Sequence, residues 1–298
     1  MKRREFLSRT AAGLGGAALG SMAVSCGSGE IIQPPPEPSP FQASDVVTLG
    51  GTGLKASRLA CGTGTAGFNH QSHQSQLGIQ GLADLLSHGY DRGLRFWDSS
   101  DSYGTHPHFA EALKSVPRNK VIIQTKTDSR TYDDVKADVD RFLVELNTNY
   151  IDIVVLHALG LNEPEGDWPV TLQGARDALS EAKEQGKVRA VGCSVHSLEA
   201  LQAAAASSWV QVQVVRFNFA GTIMDADPAT VASILADMRA AGKATVGIKI
   251  LGEGSLRTQV DDALKYALVT GALDAFIIGA ESKAELDDLI RRIAAVRV

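Results

Sequence analysis

A carboxylate, a phenol, an amine and an imidazole follow one another along this chain, each at or just past the end of a short apolar run. Phe96-Trp97-Asp98 leads into Ser99-Ser100-Asp101-Ser102-Tyr103-Gly104, Ile123-Gln124-Thr125 ends on Lys126, and Ile151-Asp152-Ile153-Val154-Val155-Leu156 ends on His157. Together these side chains can deliver a proton to a carbonyl oxygen that is receiving hydride. A free tyrosine ionises near about 10 and is a weak acid at neutral pH. An ammonium beside the phenol is expected to lower that value toward the working range. The ammonium needs a carboxylate to stay charged in a closed site, and Asp98 supplies one. The imidazole can hydrogen-bond the carbonyl oxygen and hold it near the hydroxyl. Taken singly, the Asp–Lys pair reads as a structural polar layer, His157 as a satisfied core histidine and Tyr103 as an ordinary loop aromatic. Their order on successive strands is what points to chemistry.

The elements that must position them alternate regularly. Strands are predicted at Leu59–Gly62, Leu94–Asp98, Val121–Lys126, Ile151–His157, Val188–Ser194, Val210–Asn218, Ala244–Leu251 and Ala275–Gly279. They are apolar and rich in β-branched residues, as covered parallel strands are. Helical spacing joins Ile79, Leu82, Leu86 and Tyr90, and again Val135, Val139, Phe142 and Leu146; further helices are predicted over 171–185, 197–206, 228–241, 260–270 and 282–295. Val46–Leu49 and Leu54–Leu59 flank Gly50, Gly51 and Gly53 as a short hairpin. The fold class is therefore α/β, a (β/α)8 TIM barrel with an N-terminal β-hairpin. An open doubly wound sheet is the rival, disfavoured because no Gly-x-Gly-x-x-Gly follows the first strand. In such a barrel the chemistry gathers at the C-terminal strand ends, which here carry Thr63, Asp98, Lys126, His157, Ser194 and Asn218.

Before the barrel stand two segments of other character. Residues 1–26 read as an export signal: Lys2, Arg3, Arg4 and Arg9 precede a weakly apolar run from Ala11 to Val24, too short to span a bilayer permanently. The Arg3-Arg4 pair followed by Glu5, Phe6 and Leu7 resembles a twin-arginine signal, and Ala23-Val24-Ser25-Cys26 loosely resembles a lipobox. The expected location is thus periplasmic, or lipid-anchored at the cell envelope through Cys26. Residues 27–45, with Pro34, Pro35, Pro36, Pro38 and Pro40, read as a semi-rigid linker, and 46–298 as the barrel. Without the signal the chain holds 25 basic and 33 acidic residues, a net charge of −8. No basic patch argues for a nucleic-acid partner. Cys61 and Cys193, each inside a predicted strand, are expected to be buried and free.

From Val46 to about Leu289 the chain resembles the aldo-keto reductase family. The resemblance is carried by Thr48 to Leu59 (the N-terminal hairpin), by Asp98, Tyr103, Lys126 and His157 (the catalytic tetrad), by Gly186 to Ser194 (the fifth barrel strand) and by Ile277 to Leu286 (the adenosine-side segment). It implies NADP(H) bound without a Rossmann fold and reversible reduction of aldehydes or ketones, with Tyr103 as general acid and base. It also implies cofactor contacts. Thr63 and Asp98 match ribose positions, Ser194 a carboxamide contact, and Leu251, Gly252 and Gly254 a pyrophosphate turn. Departures are visible: Val195 stands in the place of a usual Asn, Val214 of a usual Gln, and Lys249 of the ring-stacking aromatic. Gly279 and Glu285 replace the basic residues of NADP-preferring members, with Asp287 and Asp288 close by. Carboxylates there suit a bare ribose, so NAD(H) stays open, while Ser282 and Lys283 remain as phosphate donors.

Other readings follow from the same residues. Val195, Val214 and Lys249 favour a catalytically weak or inactive nucleotide-binding lipoprotein on the same barrel; the tetrad opposes it. A metal-dependent hydrolase or isomerase would need more strand-end ligands than Asp98 and His157. His70, His73, His106, His108 and His196 match no compact zinc spacing, so no metal is expected. Several of them read as part of a mobile surface or substrate loop, and Asp101 as solvated. The expected partner is a small carbonyl or alcohol substrate. Because little chain follows the last predicted helix, the pocket is expected to be open enough for a bulky substrate such as a sugar.

Overall fold

The computed structural model describes residues 39–161 and 167–298. The expected signal, Cys26 and most of the linker lie outside the described residues. In chain order the elements are β1 (Val46–Thr48), β2 (Lys55–Ser57), β3 (Leu59–Gly62), α1 (Gly78–Asp91), β4 (Phe96–Asp98), α2 (His106–Ala112), β5 (Ile122–Thr127), α3 (Tyr132–Glu145), β6 (Ile151–Leu159), α4 (Trp168–Thr171), α5 (Gln173–Glu184), β7 (Val188–Val195), α6 (Leu198–Ala206), β8 (Val212–Arg216), α7 (Pro228–Ala240), β9 (Ala244–Ile248), α8 (Val260–Val269), β10 (Ala275–Gly279) and α9 (Lys283–Ile293). Strands β3 to β10 pair in parallel and in sequence, and β10 closes on β3 through Phe276↔Leu59 to Gly279↔Gly62. The expected (β/α)8 barrel and N-terminal hairpin are both present.

Side-chain alternation along the strands builds two cores. Phe96, Ile153, Val155, Val212, Val214 and Val246 fill the barrel interior, while Trp97, Val154, Leu156 and Cys193 face the helical shell. The hairpin seals one end. β1 and β2 pair antiparallel, and Leu49, Leu54 and Ala56 join the interior cluster. Burying each leucine contributes about 1.5–3 kcal/mol. Gly51 N–H donates to Gly242 O at 2.7 Å, and a side chain on Gly50 would run into the backbone of Lys243 and Ala244. Among the described residues, the hairpin side chains thus plug that end of the barrel interior.

Several elements differ from expectation: β6 and β7 run on to Leu159 and Val195, and β8 is confined to Val212–Arg216. Residues 39–45 do not behave as linker: Ala43 is buried in the shell core, Leu59 N–H donates to Ala43 O, and Asp45 pairs with Arg58 at 3.1 Å. Helix α2 was not anticipated, because seven residues carrying two histidines and a proline show no readable periodicity. β9 ends at Ile248, since Lys249 adopts a left-handed φ of 54° that a strand cannot continue through.

Candidate active site

β4 and β5 pair Asp98 with Gln124, which sets Lys126 one inward position higher. The Lys126 ammonium donates to Asp98 Oδ1 at 2.6 Å and to Ser99 O at 2.7 Å; Gln124 Nε2 also donates to Asp98 Oδ1, at 2.7 Å. Lys126 is 1% exposed and Asp98 3%. Burial pulls the ammonium below its ordinary value, while Asp98, and Asp128 more weakly, hold it up. Thr63 supports the end of β4 from behind. Its hydroxyl donates to Asp98 O at 2.8 Å and lies 2.8 Å from that of Thr105, in a fully buried position. Ser99 Oγ joins the same cluster at 2.6 Å from Thr105 Oγ1, so the serine run after Asp98 is an internal hydroxyl network.

Tyr103 ends a short 3-10 turn, Asp101–Tyr103, stopped by Gly104 at φ 65°. Lys126 Nζ lies 5.0 Å from its ring centroid. The loop after β3 grips the other ring edges: a Cβ on Gly64 would stand 2.7 Å from Tyr103 Cδ2, and one on Gly67 2.6 Å from Cε1. The direction of the phenol's shift corrects the sequence reading. It is pushed up, first by burial and then by the carboxylates of Asp98 and Asp128. All three act in the same direction, so the hydroxyl is held in its protonated, proton-donating form.

His157 sits at an irregularity of β6. The register slips between Leu156 and Leu159, and Ala158 takes φ 55°. Bulges of this kind re-aim a side chain. Ser194 Oγ accepts from Ala158 N–H at 2.7 Å and Arg130 donates to His157 O at 2.7 Å. The imidazole stands edge-on to Tyr103, with centroids 5.9 Å apart, and its Nδ1 lies 2.9 Å from Asp128 Oδ1 and 3.2 Å from Ser100 Oγ. Asp98, Tyr103, Lys126 and His157 are thus brought to one rim.

The other expected residues are distributed around that rim. Ser194 faces inward from β7 but is buried behind the bulge that it bonds. Lys249 pairs with Glu253, whose own φ is 53°. Leu251 and Gly252 lie in the turn after β9, where the N–H groups of Gly252 and Gly254 bond internally to Lys249 O and Leu251 O. Gly279 ends β10 beneath Thr65 and Gln74. Glu285 serves the N-terminus of α9: its carboxylate accepts from Glu281 N–H at 2.8 Å, while Ser282 Oγ accepts from Glu285 N–H at 3.2 Å. Arg216 ends β8 paired with the buried Asp225. His196, beside it, is held down to about 3 by burial and then by Arg216, His157 and Lys249.

Two expectations about polar residues fail. His106 and His108 are not in a mobile surface loop. Both are buried on α2, and His106 bridges Glu145 Oε2 and Thr125 Oγ1, each at 2.7 Å. Asp101 is only partly exposed and is paired, because Arg141 grips both its oxygens at 2.8 and 2.9 Å. His70 and His73 are exposed, as read. Cys61 and Cys193 are buried and free. Sequence reasoning missed Gly64, Gly67, Gln124 and Asp128. The two glycines three apart after a strand end were the available signal; Asp128, two residues past Lys126, gave none. A groove of about 760 Å³ lined by Leu113, Lys114, Arg118, Val144, Asn147 and Thr148 lies near the N-terminal strand ends, away from these groups.

Comparison with known proteins agrees with this geometry. The family model for the Aldo/keto reductase family matches residues 59–266, and the chain belongs to that family. It is 29% identical over 173 residues to the soybean (Glycine max) protein named "Probable aldo-keto reductase 1", covering 53% of this chain and 47% of the relative. It is 25% identical over 171 residues to the NADH-specific methylglyoxal reductase of Escherichia coli, covering 50% and 51%. The chain thus spans about half the length of the curated relatives it matches. An aldo-keto reductase from Bacillus halodurans, solved in its holo form, superposes with a TM-score of 0.70 at 17% identity, over 85% of this chain and 92% of that one; this likeness concerns the fold.

Proposed function

We propose that the chain is an NAD(P)H-dependent carbonyl reductase in which Tyr103 donates the proton. The single observation carrying this is the buried Lys126–Asp98 pair at 2.6 Å, set beside the protonated Tyr103 phenol and the His157 ring at one barrel mouth. A nicotinamide dinucleotide, when bound, supplies the hydride. The chain's own residues do the rest. Lys126 and Asp98 place a fixed dipole against the phenol, and burial keeps the hydroxyl protonated until negative charge develops on the substrate oxygen. Gly64 and Gly67 fix the ring plane. Ser194 and the turn through Leu251 and Gly252 would hold the dinucleotide, with Gly279 and the start of α9 on its adenosine side. The donor set there, Ser282 and Lys283 flanked by Glu281 and Glu285, suits a bare ribose better than a 2′-phosphate, which favours NADH over NADPH. Methylglyoxal, named for the bacterial relative, is the first substrate to try.

The reading is tested by titrating the full chain with NADH and NADPH and following nicotinamide oxidation with methylglyoxal. Tyr103→Phe should lower turnover at least about 100-fold and leave nucleotide Kd unchanged. Absence of binding at millimolar nucleotide, or full turnover in Tyr103→Phe, refutes it. We place the reaction outside the cytoplasm, on the Arg3-Arg4 signal and Cys26; cell fractionation of the wild type against a variant carrying Lys at both arginines checks this, and cytoplasmic retention of both forms refutes it.

A further inference from the structure

Outside the barrel wall, one guanidinium ties the turn that carries Tyr103 to the strand that carries Lys126. Arg141 lies on α3 and donates to both oxygens of Asp101, at 2.8 and 2.9 Å, to Asp138 Oδ1 at 2.7 Å and to Glu145 Oε1 at 2.9 Å. We propose that Arg141 is a positioning residue, which holds the Tyr103 turn at a fixed distance from Lys126. This rests on the reading of the rim as a reductase centre.

Alternation along β5 explains how a residue of the helical shell reaches Lys126. Lys126 pairs with Val155 and points into the barrel, so Thr125 and Thr127 on either side of it point to the shell, level with Val154 and Leu156. The far oxygens of the two α3 carboxylates meet those threonines. Thr127 Oγ1 donates to Asp138 Oδ2 at 2.5 Å, and His106 joins Glu145 Oε2 to Thr125 Oγ1, each at 2.7 Å. Asp138, Arg141 and Glu145 share one helix face because they stand three and four residues apart. Arg141 therefore holds the chain on both sides of Lys126 through one carboxylate each, and Asp101 directly. Asp101 opens the 3-10 turn that Tyr103 ends.

A planar fork matches the Asp101 carboxylate with two parallel bonds, which fixes orientation as well as distance. Asp101 first, then Asp138 and Glu145, raise the guanidinium above its ordinary value against the effect of burial, so its charge persists at any working pH. Without that charge three carboxylates face one another, and repulsion drives the turn away from α3. The ends of the loop stay anchored, at Ser99 O by Lys126 and at Thr105 by Thr63 and Ser99, so the movement falls on the turn itself. His70 is a second group facing Asp101, with Nδ1 2.9 Å from Asp101 O and 3.8 Å from Oδ1, but its ring is 65% exposed and its hold is weak. A merely structural ion pair would change stability and leave the phenol where it is.

The test uses the full chain, with methylglyoxal and NADH. Arg141→Met should lower kcat at least about tenfold with nucleotide Kd unchanged, as a small misplacement of a reacting group does, and Arg141→Lys should recover part of the loss. On a Tyr103→Phe background Arg141→Met should cost almost nothing further. Arg239→Met is the control: Arg239 pairs with Asp274 at 3.0 Å, ahead of β10, and its side chain is 38% exposed against 39% for Arg141, so its loss should lower stability alone. A second readout does not depend on turnover. Ring-13C tyrosine labels five residues, and the signal lost in Tyr103→Phe assigns the phenol. That signal should move or broaden in Arg141→Met and return toward its wild-type position in Arg141→Lys. A Tyr103 signal unmoved in Arg141→Met, a kcat there within about threefold of wild type, or an equal loss of kcat in Arg239→Met overturns the proposal. Should Arg141→Met not fold, Asp101→Asn, which keeps the shape and removes the charge, is read by the same signal and the same limits. If the wild type reduces no carbonyl, the reductase reading fails, while the tyrosine spectra still decide the role of Arg141.

Discussion

Replacing Gly64 with alanine adds one methyl group and tests whether Tyr103 works by position. Gly64 needs no left-handed backbone, so alanine is not strained there by its φ, and the effect must come through space. The new Cβ would stand 2.7 Å from Tyr103 Cδ2 and nearer still to Cε2 and Cζ, where about 3.4 Å is ordinary contact. Relief requires the ring to retreat by about 1 Å, with Gly67 closing the adjacent edge. A misplacement of about 1 Å at a reacting group can cost about 100-fold, or about 2.7 kcal/mol of transition-state stabilisation. Steady-state reduction of methylglyoxal should therefore show kcat down by about two orders of magnitude, with nucleotide Kd, read by protein fluorescence, changed less than about twofold. Gly81→Ala in α1 is the control, since its methyl would meet only Leu77 Cβ at 3.4 Å; it should be neutral or mildly stabilising. On a Tyr103→Phe background Gly64→Ala should cost almost nothing further, because the group it displaces is already disarmed. A Gly64→Ala enzyme within threefold of wild-type kcat, or one with an undiminished penalty in the double variant, would refute the reasoning.

Other outcomes follow from the same geometry. Lys126→Met leaves the Asp98 carboxylate buried with Gln124 as its remaining side-chain donor, and should cost about 3–5 kcal/mol in urea unfolding; a loss below about 1 kcal/mol would show that the pair contributes little. His196 ionises in the unfolded chain at its ordinary value but is held to about 3 in the fold, so the unfolded state binds more protons between those values. Its contribution is therefore present above the ordinary histidine range and is lost as pH falls through it toward 3. His196→Asn should flatten the loss of stability between about pH 7 and pH 5 by up to about 2 kcal/mol, and identical slopes would count against a buried neutral ring. Burial pushes the Cys61 thiol up to about 12 and raises that of Cys193 too. Peptide mapping after alkylation of the native protein should find both unmodified until denaturant is added; labelling of either in the folded state would contradict the packing.

The sequence by itself determined the architecture and named the four polar groups that the fold gathers at one rim. Strand runs such as Val154 to Leu156 and helical spacing such as Val135, Val139 and Phe142 report local periodicity, which the barrel keeps because each element buries the face its own pattern marks. Asp98, Lys126 and His157 were legible for the same reason: polar residues ending apolar strands must stand at the barrel mouth. What only the tertiary structure decided depends on neighbours far apart in sequence or on the local dielectric. Tyr103 is raised and not lowered because it is buried beside the carboxylates of Asp98 and Asp128. His106 is a buried bridge between α2, β5 and α3 because Glu145 and Thr125 fold onto it. Gly64 and Gly67 matter only because a ring from the next strand's loop lies against them. Asp128 looks like any loop acid until the slip in β6 turns His157 toward it. Periodicity is a property of the segment, whereas a side chain's proton, partner and exposure belong to the place where separate segments meet.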